Sequence, residues 1–166
     1  MVLLLGGARS GKSTLAVQLA AHHHHVTFLA TAEPGDEEMR RRIAAHRAER
    51  PSTWATVEEP LELGRAIDAV DPASCLVIDC LSLWAANRLP AGAAVVEAEA
   101  RVAAGAAARR SATTIAVSNE VGMGVVPTSE LGRAFRDTLG RVNAIWAAAA
   151  TECFLVVAGR RLELRA

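Results

Sequence analysis

The chain has 166 residues, of which 51% are hydrophobic and 22% charged, the balance of a folded globular protein rather than a disordered one. Its 18 basic and 18 acidic residues cancel, so the sequence lacks the broad positive charge of a protein that binds nucleic acid or an anionic membrane. No apolar stretch approaches the ~20 residues that span a bilayer, and the N-terminal sequence lacks the features of a signal peptide. We therefore expect a cytoplasmic protein with a single domain over 1–166.

Short apolar runs alternate along the chain with longer segments of helical periodicity. In chain order the predicted elements are a strand at Val2–Leu5, a helix at Ser13–Ala21, a strand at Val26–Thr31, a helix at Asp36–Arg50, an extended segment at Thr53–Val57, a helix at Leu61–Ala69, a strand at Cys75–Asp79, helices at Leu81–Leu89 and Val95–Arg110, a strand at Thr113–Ser118, a helix at Glu130–Ala150 and a strand at Cys153–Ala158. Leu162–Leu164 is predicted to fold back over Gly159–Arg160 as an antiparallel edge. The alternation predicts an α/β fold with a mostly parallel sheet flanked by helices.

The cysteines and the histidine run are expected to carry no chemistry. Cys75, Cys80 and Cys153 form no Cys-x-x-Cys pair and no zinc-ligand spacing, so we interpret them as small buried side chains. The four histidines at 22–25 lie between a predicted helix and a predicted strand, which favours an exposed loop. A fortuitous metal site is the alternative for that run.

A phosphate-binding motif lies between the first predicted strand and the first predicted helix. The segment matches the pattern G-x-x-x-x-G-K-[ST] through Gly6, Gly7, Ala8, Arg9, Ser10, Gly11, Lys12 and Ser13. Glycines let backbone N–H groups wrap a phosphate, and the helix that follows adds the positive end of its dipole. Lys12, the one lysine among the 18 basic residues, is predicted to reach the terminal phosphates, and Ser13 to ligate Mg²⁺. The motif predicts nucleotide binding without naming a reaction.

Asp79 closes a continuous apolar run, CLVID, that is typical of a central parallel strand. A P-loop protein places its second magnesium-linked carboxylate at such a strand end. We therefore predict that Asp79 acts with Ser13 at the metal; an ordinary strand-end acid is the alternative.

His46 is the candidate nucleophile. It lies in the charged segment RIAAHRAERP, with Arg42 one helical turn before it and Arg47 and Arg50 after it. Arginines within a turn of an imidazole can neutralise a triphosphate delivered to it, and imidazole is a competent nucleophile at neutral pH. Attack on an α-phosphate would leave a nucleotidyl-histidine and release pyrophosphate. A solvated surface histidine is the competing interpretation.

Taken together, these segments resemble the bifunctional adenosylcobinamide kinase/adenosylcobinamide-phosphate guanylyltransferase family. The resemblance covers nearly the whole chain in order. It is carried by GGARSGKS at 6–13, FLATAEPGDEEMRRRIAAHRAERP at 28–51, TW at 53–54 with TVEEP at 56–60, SNEVGMGVVP at 118–127 and FRDTLGRVNAIWAAAA at 135–150. The segments HRxxRP and NEVGMGVVP are far more specific than the phosphate loop.

The resemblance implies a set of site residues and two reactions. It implies that His46 carries GMP covalently and that the nucleotide is contacted by the phosphate loop and by Thr31, Ala32, Glu33, Arg47, Ala48, Glu49, Arg50, Glu58 and Asp79. It implies phosphorylation of the aminopropanol hydroxyl of adenosylcobinamide by ATP or GTP. It further implies transfer of GMP from GTP to that product, which yields adenosylcobinamide-GDP. Mg²⁺ as cofactor, a corrinoid substrate and a homotrimer follow from the same resemblance.

Two rival functions stay open at this point. One is a plain P-loop kinase of small molecules in which His46 is a surface residue. The other is a nucleotide-dependent switch without chemistry. Only the guanylyltransferase predicts a covalent label from α-labelled GTP. The sequence leaves the corrinoid-binding residues and the preferred phosphate donor unassigned.

Overall fold

A computed structural model describes residues 1–35, 37–48 and 50–165, together with all their side chains except those of Met39, Arg42, Ala45 and His46. Its elements are β1 (Val2–Gly6), α1 (Lys12–Ala20), β2 (Val26–Ala30), α2 (Glu37–Ala48), β3 (Ala55–Glu58), α3 (Leu63–Ala69), β4 (Cys75–Asp79), α4 (Leu81–Arg88), a turn of 3-10 helix (Leu89–Ala91), α5 (Ala93–Arg109), β5 (Thr114–Asn119), α6 (Glu130–Ala149), β6 (Glu152–Val157) and β7 (Arg160–Glu163). Each predicted strand and helix is present, with ends that coincide or differ by one or two residues; the predicted start of the second helix, Asp36, lies outside the described residues.

The strands form one seven-stranded sheet in the order β3-β2-β4-β5-β1-β6-β7. All pairs are parallel except β6 with β7, which is antiparallel. The predicted α/β fold with an antiparallel C-terminal edge is therefore confirmed. The sheet has one more member than the sequence analysis assigned to it, because the extended segment 53–57 continues into β3 and pairs with β2. Most of β3 is exposed, so it lacks the continuous apolar run of the central strands.

Two apolar cores cover the two faces of the sheet. Alternate strand residues such as Leu3 and Ile78 pack against α3, α4, α5 and α6 on one face. Their neighbours Leu4 and Val77 pack against Ala16 and other residues of α1 on the opposite face. This alternation follows from the twofold side-chain period of a strand. No helix within the described ranges is long and apolar enough to cross a membrane.

The carboxyl ends of the parallel strands meet at one edge of the sheet. Gly6 is level with Asn119 of β5, and Ala30 is level with Asp79 on one side and with Glu58 on the other. In open parallel sheets this edge carries the ligand. The sequence predicts its site residues at the ends of β1, β2, β3 and β4, and the sheet aligns those four ends.

Candidate nucleotide-binding site

The phosphate loop joins β1 to α1 and requires glycine at two positions. Gly6 has φ of 156° and a Cβ there would overlap the Val156 carbonyl oxygen of β6. Gly11 has φ of 97°, and a Cβ there would lie 3.2 Å from the Gly159 Cα. Arg9 also takes a positive φ, 56°. The left-handed backbone at Arg9 and Gly11 is of the kind found in loops that turn their N–H groups toward an anion.

Lys12 is 94% buried, and its ammonium group is held by the loop itself. Its Nζ donates to the carbonyl oxygens of Gly6 at 2.8 Å and Gly7 at 2.7 Å, and to the Ser10 Oγ at 3.4 Å. Burial lowers the pKa of Lys12, while the nearby Cys80 and Asp79 groups work in the opposite direction. The ammonium group is thus placed beside the loop carbonyls, where phosphate oxygens can replace them as acceptors.

The loop is fixed on both sides by the neighbouring strands. The Glu120 N–H, just after β5, donates to the Gly6 carbonyl at 2.9 Å. The Gly159 N–H, in the turn between β6 and β7, donates to the Ser10 carbonyl at 2.8 Å. Neither Glu120 nor Gly159 is among the site residues predicted from the sequence. Two features of the sequence mark these residues: Gly159 lies between two apolar runs, and Glu120 lies in the motif that begins at Asn119.

Asp79 ends β4, one strand beyond β5, so a single strand separates it from the phosphate-loop strand. Its charge acts on the pKa of Lys12, which places the carboxylate within electrostatic reach of the ammonium group. Ser13 lies in the first turn of α1, next to Lys12. A hydroxyl and a carboxylate are oxygen donors of the kind that Mg²⁺ accepts, so these two residues fit the predicted metal site.

Thr31 is fully buried and its polar groups already have protein partners. Its Oγ1 donates to the Cys80 carbonyl at 2.7 Å and accepts from the Cys80 N–H at 2.9 Å. Its own carbonyl accepts from the Asn87 amide at 2.9 Å. Thr31 therefore fastens the end of β2 to the start of α4. Beyond it, Ala32 is half-buried and Glu33 is exposed at the same edge.

Helix α2 carries the remaining predicted residues and is far more exposed than the phosphate loop. Its described side chains are all exposed except Ile43, which is half-buried. Glu37 pairs with Arg40 and Arg41 at 3.3 and 3.4 Å, within the helix. The side chains of His46 and Arg42, and all of Glu49, lie outside the described residues, so their geometry stays a prediction.

Arg47 and Arg50 tie this region to the edge of the sheet. The Arg47 guanidinium lies 3.8 Å from the Glu58 carboxylate at the end of β3. The Arg50 guanidinium lies over the Phe28 ring, 3.5 Å from its centroid, which is a cation–π contact. Both belong to a cavity of about 570 Å³ that also involves Ala48, Trp54 and Thr56. Trp54 is not among the predicted site residues. The sequence singles it out only through the TW pair at 53–54, which is part of the family resemblance.

The order of the strands sets the distance between the phosphate loop and the pair of Arg47 with Glu58. Arg47 contacts β3, and β3 is four strands away from β1. At about 4.8 Å per strand this is about 19 Å, which exceeds the length of a triphosphate chain. The structure therefore brings together the phosphate loop, Asp79 and Glu120, and places Arg47, Arg50 and Glu58 apart from them.

The cysteines and the histidine run behave largely as expected. Cys75 and Cys80 are buried, Cys153 is half-buried, and all three are free thiols. Burial raises the pKa of Cys75 and of Cys80 to about 11, with the Asp79 charge adding to the effect at Cys80. His22–His25 form an exposed loop. The Glu59 carboxylate accepts from the Leu61 and Glu62 N–H groups, both at 2.9 Å, ahead of α3.

Comparison with known proteins matches the chain to one family over nearly its whole length. Residues 2–164 match the family model described as cobinamide kinase / cobinamide phosphate guanyltransferase. The chain is 42% identical to the bifunctional adenosylcobalamin biosynthesis protein CobP of Pseudomonas aeruginosa, over 98% of this chain and 96% of that protein. It is 38% identical to CobU of Escherichia coli and 36% identical to CobU of Salmonella typhimurium, with 99% of each chain covered in both cases.

Among solved structures, the fold is similar to an ATPase from the type III secretion system of pathogenic bacteria. The TM-score is 0.55 over 93% of this chain and 50% of that one, with 13% sequence identity. At this identity the likeness concerns the fold alone.

Proposed function

Because the chain belongs to the cobinamide kinase / cobinamide phosphate guanyltransferase family, we propose that it catalyses two successive transfers on one corrinoid. ATP or GTP phosphorylates adenosylcobinamide, and GTP then donates GMP to the product, giving adenosylcobinamide-GDP and pyrophosphate. The protein is thus a transferase of cobalamin biosynthesis. The observation that carries this proposal is the family match over residues 2–164, together with a phosphate loop that holds a buried lysine.

In the kinase step, the phosphate loop binds the triphosphate and Lys12 neutralises its terminal oxygens. The acceptor hydroxyl attacks the γ-phosphorus; a P–O bond to the corrinoid arm forms, the bond to the β-phosphate oxygen breaks, and the hydroxyl proton is released. Such transfers depend on in-line placement and charge neutralisation rather than on a protein nucleophile. The loop is supported for this role by its fixed backbone and by the hydrogen bonds that Lys12 makes to it.

Ser13 and Asp79 would hold Mg²⁺ at this site. When bound, the ion neutralises charge that develops on the phosphate oxygens. The assignment is supported by the position of Ser13 at the start of α1 and of Asp79 at the end of β4.

In the guanylyl step, His46 acts as the nucleophile. An imidazole nitrogen forms a bond to the α-phosphorus, the bond to the bridging oxygen breaks, and pyrophosphate leaves with the electron pair. A phosphate oxygen of adenosylcobinamide phosphate then attacks the GMP-histidine and restores the free imidazole. Arg47 and Arg50 neutralise the triphosphate during the first transfer. Thr31–Glu33, Ala48, Glu49 and Glu58 are the further residues that contact the nucleotide.

This step requires α2 to approach the phosphate loop. The separation of about four strand spacings between β1 and β3 exceeds the length of a triphosphate chain, which supports that requirement. The described side chains of α2 support it too, because all of them except Ile43 are exposed and their burial would not be lost by the movement. We propose in addition that the protein is cytoplasmic and assembles as a trimer, which would let a substrate cleft form between copies.

The test is covalent labelling with GTP that carries its label in the α-phosphate. We expect a label that is lost in acid and retained in alkali, present in the native protein and absent from His46→Asn. His25→Asn, in the exposed histidine loop, is the matched control and should label normally. Phosphorylation of adenosylcobinamide should continue in His46→Asn. A protein that phosphorylates adenosylcobinamide but never labels would be a kinase alone, and one that does neither would be a nucleotide switch.

A further inference from the structure

The loop that follows β5 begins beside the phosphate loop and exposes apolar side chains. These side chains have no part in the two proposed transfers. We call residues 121–126 the apolar loop. Its Met123 side chain is 77% exposed, Val125 is 95% exposed and Val126 is 58% exposed, while Val121 is 36% exposed. Exposed apolar side chains scattered singly are ordinary, but four within six residues form a patch that calls for a partner.

Hydrogen bonds hold the backbone at both ends of the apolar loop, so its exposed side chains belong to an ordered segment. On the N-terminal side, the Glu120 N–H donates to the Gly6 carbonyl at 2.9 Å, and the Glu120 carboxylate accepts from the Gly122 N–H. On the C-terminal side, the Arg133 guanidinium donates to the carbonyls of Pro127 at 3.1 Å and Thr128 at 2.7 Å. These bonds hold the backbone out at the sheet edge instead of letting the side chains collapse onto a core.

We propose that the apolar loop binds the corrinoid macrocycle of adenosylcobinamide and thereby places its hydroxyl arm at the phosphate loop. This inference rests on the proposed function, which supplies a substrate for which no binding residues are assigned. The macrocycle must lie within the length of its arm from the γ-phosphate site, and the apolar loop begins one hydrogen bond from Gly6.

The chemistry of the apolar loop favours this occupant over a nucleotide. No charged side chain occurs between Glu120 and Glu130, so the segment offers nothing to a phosphate. A corrin ring presents broad apolar faces and a rim of uncharged amides, which match methionine and valine side chains interspersed with glycine N–H groups. Methionine in particular adapts to irregular apolar surfaces. Because both transfers act on the same arm, one ring-binding surface serves both reactions.

The experiment measures binding of adenosylcobinamide to the full-length protein by equilibrium dialysis in the dark, read from the absorbance of the corrinoid. The variants are Met123→Gln, Val125→Ser and the pair together. Val102→Ser is the matched control, because Val102 is 65% exposed on α5, outside this site. We expect the double variant to raise the Kd about tenfold, the control to bind as the native protein does, and Met123→Leu to keep native affinity.

Two further readouts separate this inference from the proposed function. Covalent labelling from α-labelled GTP without corrinoid should be unchanged in the double variant, and in the kinase assay the KM should rise for adenosylcobinamide but not for ATP. An unchanged Kd in the double variant would overturn the inference while leaving the two transfers intact. A weaker Kd accompanied by a changed oligomeric state in light scattering would overturn it as well, and would assign the loop to contacts between copies. Failure of the native protein to phosphorylate adenosylcobinamide would remove the proposed function itself.

Discussion

The phosphate loop and helix α2 carry the two halves of the proposed chemistry, and they are built in opposite ways. The loop is held by β5 on one side and by the β6–β7 turn on the other, with its lysine buried. Helix α2 has exposed side chains, ion pairs within itself and a 3.8 Å ion pair to Glu58. The first is a preformed anion site, whereas the side chains of the second that the structure describes lie mostly in solvent.

This difference fits a division of labour between binding and covalent chemistry. Exposed ion pairs contribute about 0–1 kcal/mol each, and a cation–π contact such as that of Arg50 contributes about 0.5–2 kcal/mol. Binding energy from a triphosphate is ample to replace interactions of this size. We infer that the kinase half of the site exists before the nucleotide arrives and that the guanylyl half is completed by it. Each prediction below alters one region and compares the two activities.

The largest effect is expected from Lys12→Ala, which removes the one ammonium group of the loop. Both activities should fall about a thousandfold or more, because each transfer needs the triphosphate in the same cradle. Kinase rates and ATP affinity by calorimetry would measure the loss. Thr14→Ala, an exposed position in the first turn of α1, is the control and should behave as the native protein. Near-native nucleotide affinity in Lys12→Ala would show that the loop is not the phosphate site.

Arg50→Ala should separate the two activities. We expect covalent labelling from GTP to slow by about 10–100-fold, with the kinase rate within about twofold of native, because the arginine neutralises the triphosphate only in the guanylyl step. Arg50→Lys should rescue poorly, since an ammonium group lacks the planar face that lies over Phe28. Arg41→Ala, on the exposed surface of α2, is the matched control. Equal loss of both activities in Arg50→Ala would contradict the division.

A third substitution lies outside both the phosphate loop and α2. It should leave the ratio of the kinase activity to the guanylyl-transfer activity unchanged. The Arg110 guanidinium donates to the carbonyls of Ile67, Val70, Asp71 and Ser74, at the C-terminal end of α3 and the turn after it. Arg110→Ala should lower the free energy of unfolding by about 2 kcal/mol, because those acceptors lose a charged donor. In a chain of this size that is a fall in Tm of about 4–8 °C. Arg109→Ala, exposed next to it, should have little effect. A changed ratio of the two activities in folded Arg110→Ala would show coupling through α3.

The sequence predicts the loop better than the helix for a physical reason. Glycine spacing, the lysine and the flanking strand and helix are local, so residues 6–13 define their own geometry. The partners of the loop, Glu120 and Gly159, come from distant strands, and only the sheet order reveals them. Likewise, the buried hydrogen bonds of Thr31 to Cys80 follow from the pairing of β2 with β4.

The edge strand β3 shows the limit of pattern recognition. Its four residues are mostly exposed and give no apolar run, so the sequence indicates only an extended segment. That strand nevertheless sets the distance between Glu58 and the phosphate loop. Because of this distance, α2 must approach the phosphate loop for the guanylyl step. The family resemblance supplied His46 as the carrier of GMP, while the position of α2 relative to the sheet came from tertiary structure alone.

The smallest effect concerns the pH dependence of nucleotide binding by the loop. Burial lowers the pKa of Lys12. In the absence of nucleotide the group therefore loses its proton below the ordinary lysine pKa of about 10.4, whereas bound phosphates favour the charged form. ATP affinity should accordingly fall as pH rises through the lowered pKa, and binding there should be accompanied by proton uptake. The folding stability of the nucleotide-free protein changes with pH in the opposite direction. The unfolded chain holds this proton more tightly than the folded protein does, so the contribution of Lys12 to the free energy of unfolding increases as pH rises over the same range.

Calorimetry of ATP binding between pH 8 and 10, in buffers of different ionisation enthalpy, would measure this effect. ATP is the probe because guanine itself ionises at alkaline pH. The buried thiols of Cys75 and Cys80, with pKa values of about 11, remain largely protonated in this range and add little to the signal. We expect affinity to fall by about three- to tenfold in the native protein and to stay flat in Lys12→Arg, whose guanidinium does not titrate. Equal proton uptake in both proteins would place the titrating group at a residue other than Lys12, whereas uptake confined to the native protein would identify Lys12 as that group.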